Sequence, residues 1–228
     1  MRILFIGNSY TSRNQLPRLV ANLAMAAEHP QRVDFEMIVA GGASLKRHWN
    51  AGRAQETLQS KPWDYVVLQE QSTLPLKNPQ RYHDNVRLFA ALIAERRAQV
   101  VLYLTWSRQA GPQTQEAITR AVYDIAEEMT ALVVPAGLAW HRALHAVGGL
   151  QLYESDGSHP TLEGSYLAAC TFHVALFGER PVGDSVGDAL KLDRAVARSL
   201  QEIAWACRGL VRMRPRTEEL SGQGVDHP

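Results

Sequence analysis

Residues 3–11, Ile3-Leu4-Phe5-Ile6-Gly7-Asn8-Ser9-Tyr10-Thr11, decide how this chain is read. An apolar run of β-branched and aromatic residues stops at a glycine and then presents a hydroxyl, the pattern of a strand entering a tight turn. Leu16, Leu19, Val20, Leu23 and Ala24 then recur at helical spacing, so Ser9 stands at a strand-to-helix junction. There a side chain leaves the carboxyl edge of a sheet close to backbone N–H groups that neither strand nor helix has used. The position suits a nucleophile and equally suits a plain helix cap.

The same alternation continues outward from this stretch. Residues 33–39 alternate apolar and polar like a strand near a sheet edge and end at Gly41-Gly42. Residues 45–58 predict a helix stopped by Lys61-Pro62, and Tyr65-Val66-Val67-Leu68 is a compact buried strand running into Gln69-Glu70-Gln71-Ser72. Beyond Pro75 and Pro79 an amphipathic helix carries Val86, Leu88, Phe89, Leu92 and Ile93. Residues 100–104 form a strand ending at Thr105-Trp106-Ser107, followed by a helix over 113–129, a strand over 131–134 and a helix through His141 and His145. The loop 154–160 then leads into a helix over 162–177. Strand and helix in strict alternation predict an α/β fold, a three-layer α/β/α sandwich around a central parallel sheet, because parallel neighbours need helical crossovers. Residues 1–212 read as a single domain and 213–228 as a polar C-terminal tail with little to bury.

With 228 residues the chain can bury a substantial core, and 46% hydrophobic against 21% charged residues describes an ordinary soluble globule. A net charge of +1 gives no electrostatic case for nucleic acid or an anionic membrane surface, and no basic stripe with interleaved aromatics occurs. The apolar run after Arg2 is too short for a signal peptide and no stretch is long enough to span a bilayer, so the expected location is the cytoplasm. Cys170 and Cys207 sit in helical apolar patterns and read as buried thiols.

In open parallel sheets chemistry gathers outside the carboxyl ends of the strands. Those ends carry Ser9, Gly41-Gly42, Gln69 to Ser72 and Trp106-Ser107, and the loop 154–160 supplies an aspartate and a histidine. A serine attacks a carbonyl when a histidine takes its proton, and an acid orients and stabilises that imidazole. Ser9, His159 and Asp156 provide one of each. A developing oxyanion needs preorganised donors, for which the N–H groups of Ser9 and Gly42 and the amide of Gln71 are candidates.

With these residues in place, a resemblance to a known family can be stated. Gly7-Asn8-Ser9-Tyr10-Thr11 looks like the first block of the SGNH hydrolases, the GDSL-type esterases, and Asp156-Gly157-Ser158-His159-Pro160 resembles their closing Asp-x-x-His-Pro. Gly41-Gly42-Ala43-Ser44 is similar to the second block, and Leu68-Gln69-Glu70-Gln71 takes the place of the third. The resemblance implies the flavodoxin-like fold of that family and ester hydrolysis through an acyl-serine intermediate. Ser9 would be nucleophile and first oxyanion donor, Gly42 the second donor, Gln71 the third, His159 the base and Asp156 its orienting acid. Two departures stand out: Asn8 replaces the common aspartate, and Gln71 stands where the family has an asparagine. Asn8, Glu70 and Trp106 are expected beside the substrate.

The expected substrate is a small acyl ester, an acetyl group on a sugar or another polar alcohol, by family precedent and because no apolar lid segment occurs. No metal or organic cofactor is required. His141 and His145 are four apart, yet Arg142 follows His141, so the pattern His-Glu-x-x-His fails and a solvated or capping pair is the better reading. Glu70 with Glu154 as a glycosidase pair ranks low. Gly7 to Ser12 lacks the further glycines of a dinucleotide-binding turn, and no Gly-Lys-Ser/Thr of a P-loop is present. The competing reading is a non-catalytic ligand-binding relative with the same fold, in which Ser9 is not unusually reactive.

Overall fold

The computed structural model describes residues 1–182 and 184–211, and the expected tail at 213–228 lies outside them. Within the described residues the strands are β1 (Arg2–Gly7), β2 (Asp34–Val39), β3 (Tyr65–Leu68), β4 (Gln99–Tyr103) and β5 (Leu132–Val134). They form one parallel sheet in the order β2-β1-β3-β4-β5. Between and after them come α1 (Ser9–Ser12), α2 (Leu16–Ala26), α3 (Leu45–Ala51), α4 (Arg53–Ser60), α5 (Leu74–Lys77), α6 (Pro79–Glu95), α7 (Gln115–Met129), α8 (Ala136–Ala146), α9 (Leu162–Phe177), α10 (Ser185–Ala189) and α11 (Arg194–Ala206).

The period-2 geometry of a strand sends successive side chains to opposite faces, and both faces of this sheet are covered. Ile3, Phe5, Val67, Val101 and Val134 pack with α2, α8, α9 and α11 on one side. Leu4, Ile6, Val66, Leu68, Leu102 and Val133 pack with α3, α4, α6 and α7 on the other. The three layers of the α/β/α sandwich follow directly. Helix α9 is buried on nearly all sides, held between the sheet and α11. The edge position of β2 explains why Asp34 and Glu36 are exposed, Phe35, Met37 and Val39 half-buried and only Ile38 buried, while β3 reads as a continuous apolar run.

Two helical expectations need correction. Residues 45–58 are not one helix: Gly52, at φ +78, takes the left-handed conformation that ends α3 and begins α4. The first helix is also interrupted, because Asn14 and Gln15 at φ 50 and 54 turn the chain between α1 and α2. Asn14 Nδ2 donates from this kink to the Thr161 carbonyl at 3.0 Å and to Ser165 Oγ at 2.9 Å. These bonds tie the start of the chain to the start of α9. Cys170 and Cys207 are buried free thiols.

The chain leaves β1 for β2 on one side and later returns to β3 on the other, so the switch point of the sheet lies at the carboxyl end of β1. Ser9 stands there.

Candidate active site

Ser9 is held by the two residues before it. Asn8 caps α1, its Oδ1 accepting from the Tyr10 N–H at 3.1 Å, while its Nδ2 donates to the carbonyls of Ala43 at 3.0 Å and Glu70 at 3.4 Å. Gly7 must be a glycine because a Cβ there would lie 2.6 Å from both Gln69 Oε1 and Thr11 Oγ1. That Gln69 oxygen accepts from the Asn8 N–H at 2.8 Å and the Thr11 hydroxyl at 3.0 Å, fixing the turn against β3.

The opposite wall is the loop closed by the antiparallel bridge between Tyr153 and Pro160 and by the Glu154 N–H on the His159 carbonyl at 2.8 Å. Inside it Asp156 Oδ1 accepts the N–H groups of Ser158 and His159, both at 2.9 Å, and Oδ2 bonds His159 Nδ1. A carboxylate only accepts, so Nδ1 carries the imidazole proton and Nε2 is left with its lone pair. Nε2 lies 2.8 Å from Ser9 Oγ. Sequence positions 150 residues apart thus form a continuous Ser9–His159–Asp156 chain of hydrogen bonds. The imidazole bond and the two backbone donors hold the Asp156 carboxyl down at about 2, so it is ionised across the neutral range.

The three candidate oxyanion donors come from three separate loops. Gly42, at φ +62, sits exposed at the third position of the turn that the Ala43 N–H closes on the Ala40 carbonyl. Among the described residues neither the Ser9 nor the Gly42 N–H has an acceptor. Gln71 is half-buried, and its Oε1 accepts from both the N–H and the hydroxyl of Thr73 at 3.0 Å. The amide is thereby oriented with Nε2 as the end left to donate.

Asn8, Glu70 and Trp106, expected beside the substrate, are only 2, 5 and 1% exposed. Their polar groups are used within the protein. Glu70 accepts the Leu45 N–H at 3.1 Å, the Gln71 N–H at 2.6 Å and Asn85 Nδ2 at 2.8 Å, and burial pushes its carboxyl above the usual range. It joins the loop after β2 to the loop after β3. Trp106 stacks on Trp140 at 3.7 Å and on Tyr10 at 5.0 Å between ring centroids. All three are buried, with their polar groups bonded inside the protein.

Sequence reasoning missed Gln69, Tyr10, Ser158, His48 and Asn85. Tyr10 and Ser158 share a hydrogen bond between hydroxyls at 2.6 Å, and His48 Nε2 lies 2.7 Å from the Gly7 carbonyl. His48 is buried, and burial lowers its pKa. Asn85 carried a readable signal: a polar residue on the buried face that Tyr82, Val86 and Phe89 share. His141 and His145 lie on the exposed side of α8 with their Nε2 atoms 3.4 Å apart. Among the described residues no group of three or more His, Cys, Asp or Glu could hold a metal ion, and no helix is long and apolar enough to cross a membrane.

No family model and no curated protein matches the sequence. Solved structures do. A protein from Slackia heliotrinireducens provisionally described as an SGNH hydrolase superposes with a TM-score of 0.68 at 29% identity, covering 77% of this chain and 98% of its own. A DUF4886 family protein from Bacteroides uniformis gives a TM-score of 0.67 at 20% identity, covering 91% of this chain and 94% of its own. Axe2, an acetylxylan esterase from Geobacillus stearothermophilus, gives 0.65 at 18% identity, covering 78% and 94%. What this chain shares with them is the α/β fold of the SGNH hydrolases.

Proposed function

We propose that the protein is a serine esterase that cleaves small acyl esters, acetyl esters of carbohydrates or other polar alcohols, through an acyl-serine intermediate. The observation that carries this reading is Ser9 Oγ at 2.8 Å from a His159 Nε2 whose other ring nitrogen is bonded to Asp156. The structural likeness to a provisionally described SGNH hydrolase and to an acetylxylan esterase supports it, and the latter's description motivates the choice of an acetyl ester.

In this mechanism His159 Nε2 takes the hydroxyl proton as Ser9 Oγ bonds to the ester carbonyl carbon. The oxyanion is met by the N–H groups of Ser9 and Gly42 and by Gln71 Nε2. The imidazolium returns its proton to the departing alkoxide oxygen, the C–O bond breaks and the alcohol leaves. Water then attacks the acyl-serine with His159 again as base, releasing the carboxylic acid and regenerating Ser9. Asp156 stays ionised throughout and stabilises the imidazolium. No metal or organic cofactor takes part.

The test is intact-mass labelling with a fluorophosphonate, followed by turnover of acetyl esters. One adduct on the wild type and none on Ser9→Ala is the expected result. A folded wild type that takes no adduct sinks the proposal and leaves a ligand-binding protein of the same fold.

A further inference from the structure

We infer that the alcohol part of the substrate carries an anionic oxyacid group, a carboxylate or phosphate, which Lys77 and Arg108 receive in a groove beside the proposed active site. The inference rests on the esterase reading and narrows its substrate class. The groove, about 650 Å³, is lined by Thr73, Lys77, Arg108, Gln109, Ser155 and Asp156 among others. Two of its lining residues belong to the candidate site described above. Thr73 is the residue whose N–H and hydroxyl orient Gln71, and Asp156 is the residue that holds His159. Asp156 lines the groove and is bonded to His159, which lies 2.8 Å from Ser9 Oγ, so the groove adjoins the serine through that loop.

The charges in the groove are uneven in availability. Asp156, the only acid among its lining residues, is already bonded to the His159 ring and to two backbone N–H groups. Lys77 and Arg108 are exposed, and among the described residues neither charged head makes an ion pair, hydrogen bond or ring contact. By contrast, Arg32, Arg87, Arg120, Arg180, Arg194 and Arg198 are each paired with a carboxylate. Two free cations lining one groove, one flexible ammonium and one planar guanidinium fork, suit the oxygens of an oxyacid. Gln109 and Ser155 add neutral donors suited to a hydroxylated ring, and Thr73 Oγ1, whose proton goes to Gln71, can only accept.

The experiment compares acetyl esters of a neutral sugar, of the matching uronic acid and of the matching sugar phosphate, with wild type and with Lys77→Gln/Arg108→Gln. The expected result is a kcat/KM for one or both anionic esters about tenfold above the neutral one at low salt, as two exposed charge pairs allow. That ratio should fall towards one in the double variant and, for the wild type, as sodium chloride is added. Because each ratio is taken within one protein, loss of folded material cancels. Preference for the uronic ester alone assigns a carboxylate, and preference for the phosphate alone assigns a phosphate. A wild-type ratio near one with good neutral turnover overturns the inference and leaves the esterase intact. If no ester is turned over and Ser9 takes no fluorophosphonate, the esterase reading fails separately. Calorimetry with the free uronic acid and sugar phosphate then decides: binding lost in the double variant supports the groove, and no binding to wild type overturns it.

Discussion

Trp106 Nε1 donates to the Ser158 carbonyl at 3.0 Å, so the residue before His159 hangs from an indole sealed between Tyr10 and Trp140. Replacing Trp106 by Phe keeps most of the stacking and orphans that buried carbonyl. The expected cost is about 2 kcal/mol, a fall of about 4–8 °C in Tm. Because His159 is then less well aimed, kcat should drop roughly ten- to a hundredfold with KM little changed. Steady-state kinetics beside thermal unfolding decide it; an unchanged kcat in a destabilised protein would show that the indole only stabilises.

Glu70 is an acceptor for three donors, and its substitutions should differ in kind. Glu70→Ala leaves the Leu45 and Gln71 N–H groups and Asn85 Nδ2 without their acceptor, which should cost about 3 kcal/mol or more. Glu70→Gln keeps one oxygen for the two N–H groups and turns a nitrogen to Asn85, whose amide can flip to accept it. Its Tm should therefore fall much less. Urea denaturation of both variants tests this, and equal losses would contradict the geometry.

Gln71→Ala removes the Nε2 donor and the cap on Thr73. If Nε2 meets the oxyanion, kcat falls on the order of 10²- to 10³-fold while the protein stays folded. A kcat within about threefold of wild type, outside the range expected for a lost oxyanion donor, would remove Gln71 from the mechanism.

His173 in α9 is 1% exposed, neither ring nitrogen has a hydrogen-bond partner among the described residues, and burial lowers its pKa below 6.5 despite the nearby Glu179. The unfolded imidazole gains its proton near 6.5, whereas the folded one resists it. As pH falls below that value the unfolded state binds more protons, so stability declines with acidification. His48 is shifted the same way. His173→Phe, beside the Phe177 ring at 5.0 Å, should lessen the loss of stability between neutral pH and about pH 5. Parallel denaturation curves at the two pH values check this, and an undiminished slope in the variant would refute it.

The strand ends and the trio of Ser9, Asp156 and His159 were readable because each residue type announces its chemistry at a position that alternation fixes. The supports were not. Gln69 acts on Asn8 across 61 residues, and nothing local to either marks the other. Trp106 was read as a pocket residue because an aromatic at a strand end suits a pocket as well as a core. Only the arrival of Trp140 from α8 settles its burial. The helix break at Gly52 is the kind a glycine permits, whereas the left-handed Asn14-Gln15 kink has no local mark and depends on Asn14 reaching α9.

That reach has a temporal consequence. The ribosome delivers Ser9 first and His159 150 residues later, which at cellular elongation rates is roughly ten to thirty seconds. Until the Asp156 loop emerges, and α9 after it to receive Asn14, the serine has no base. On the esterase reading, a nascent chain gains its serine chemistry only after the Asp156 loop and α9 have both emerged.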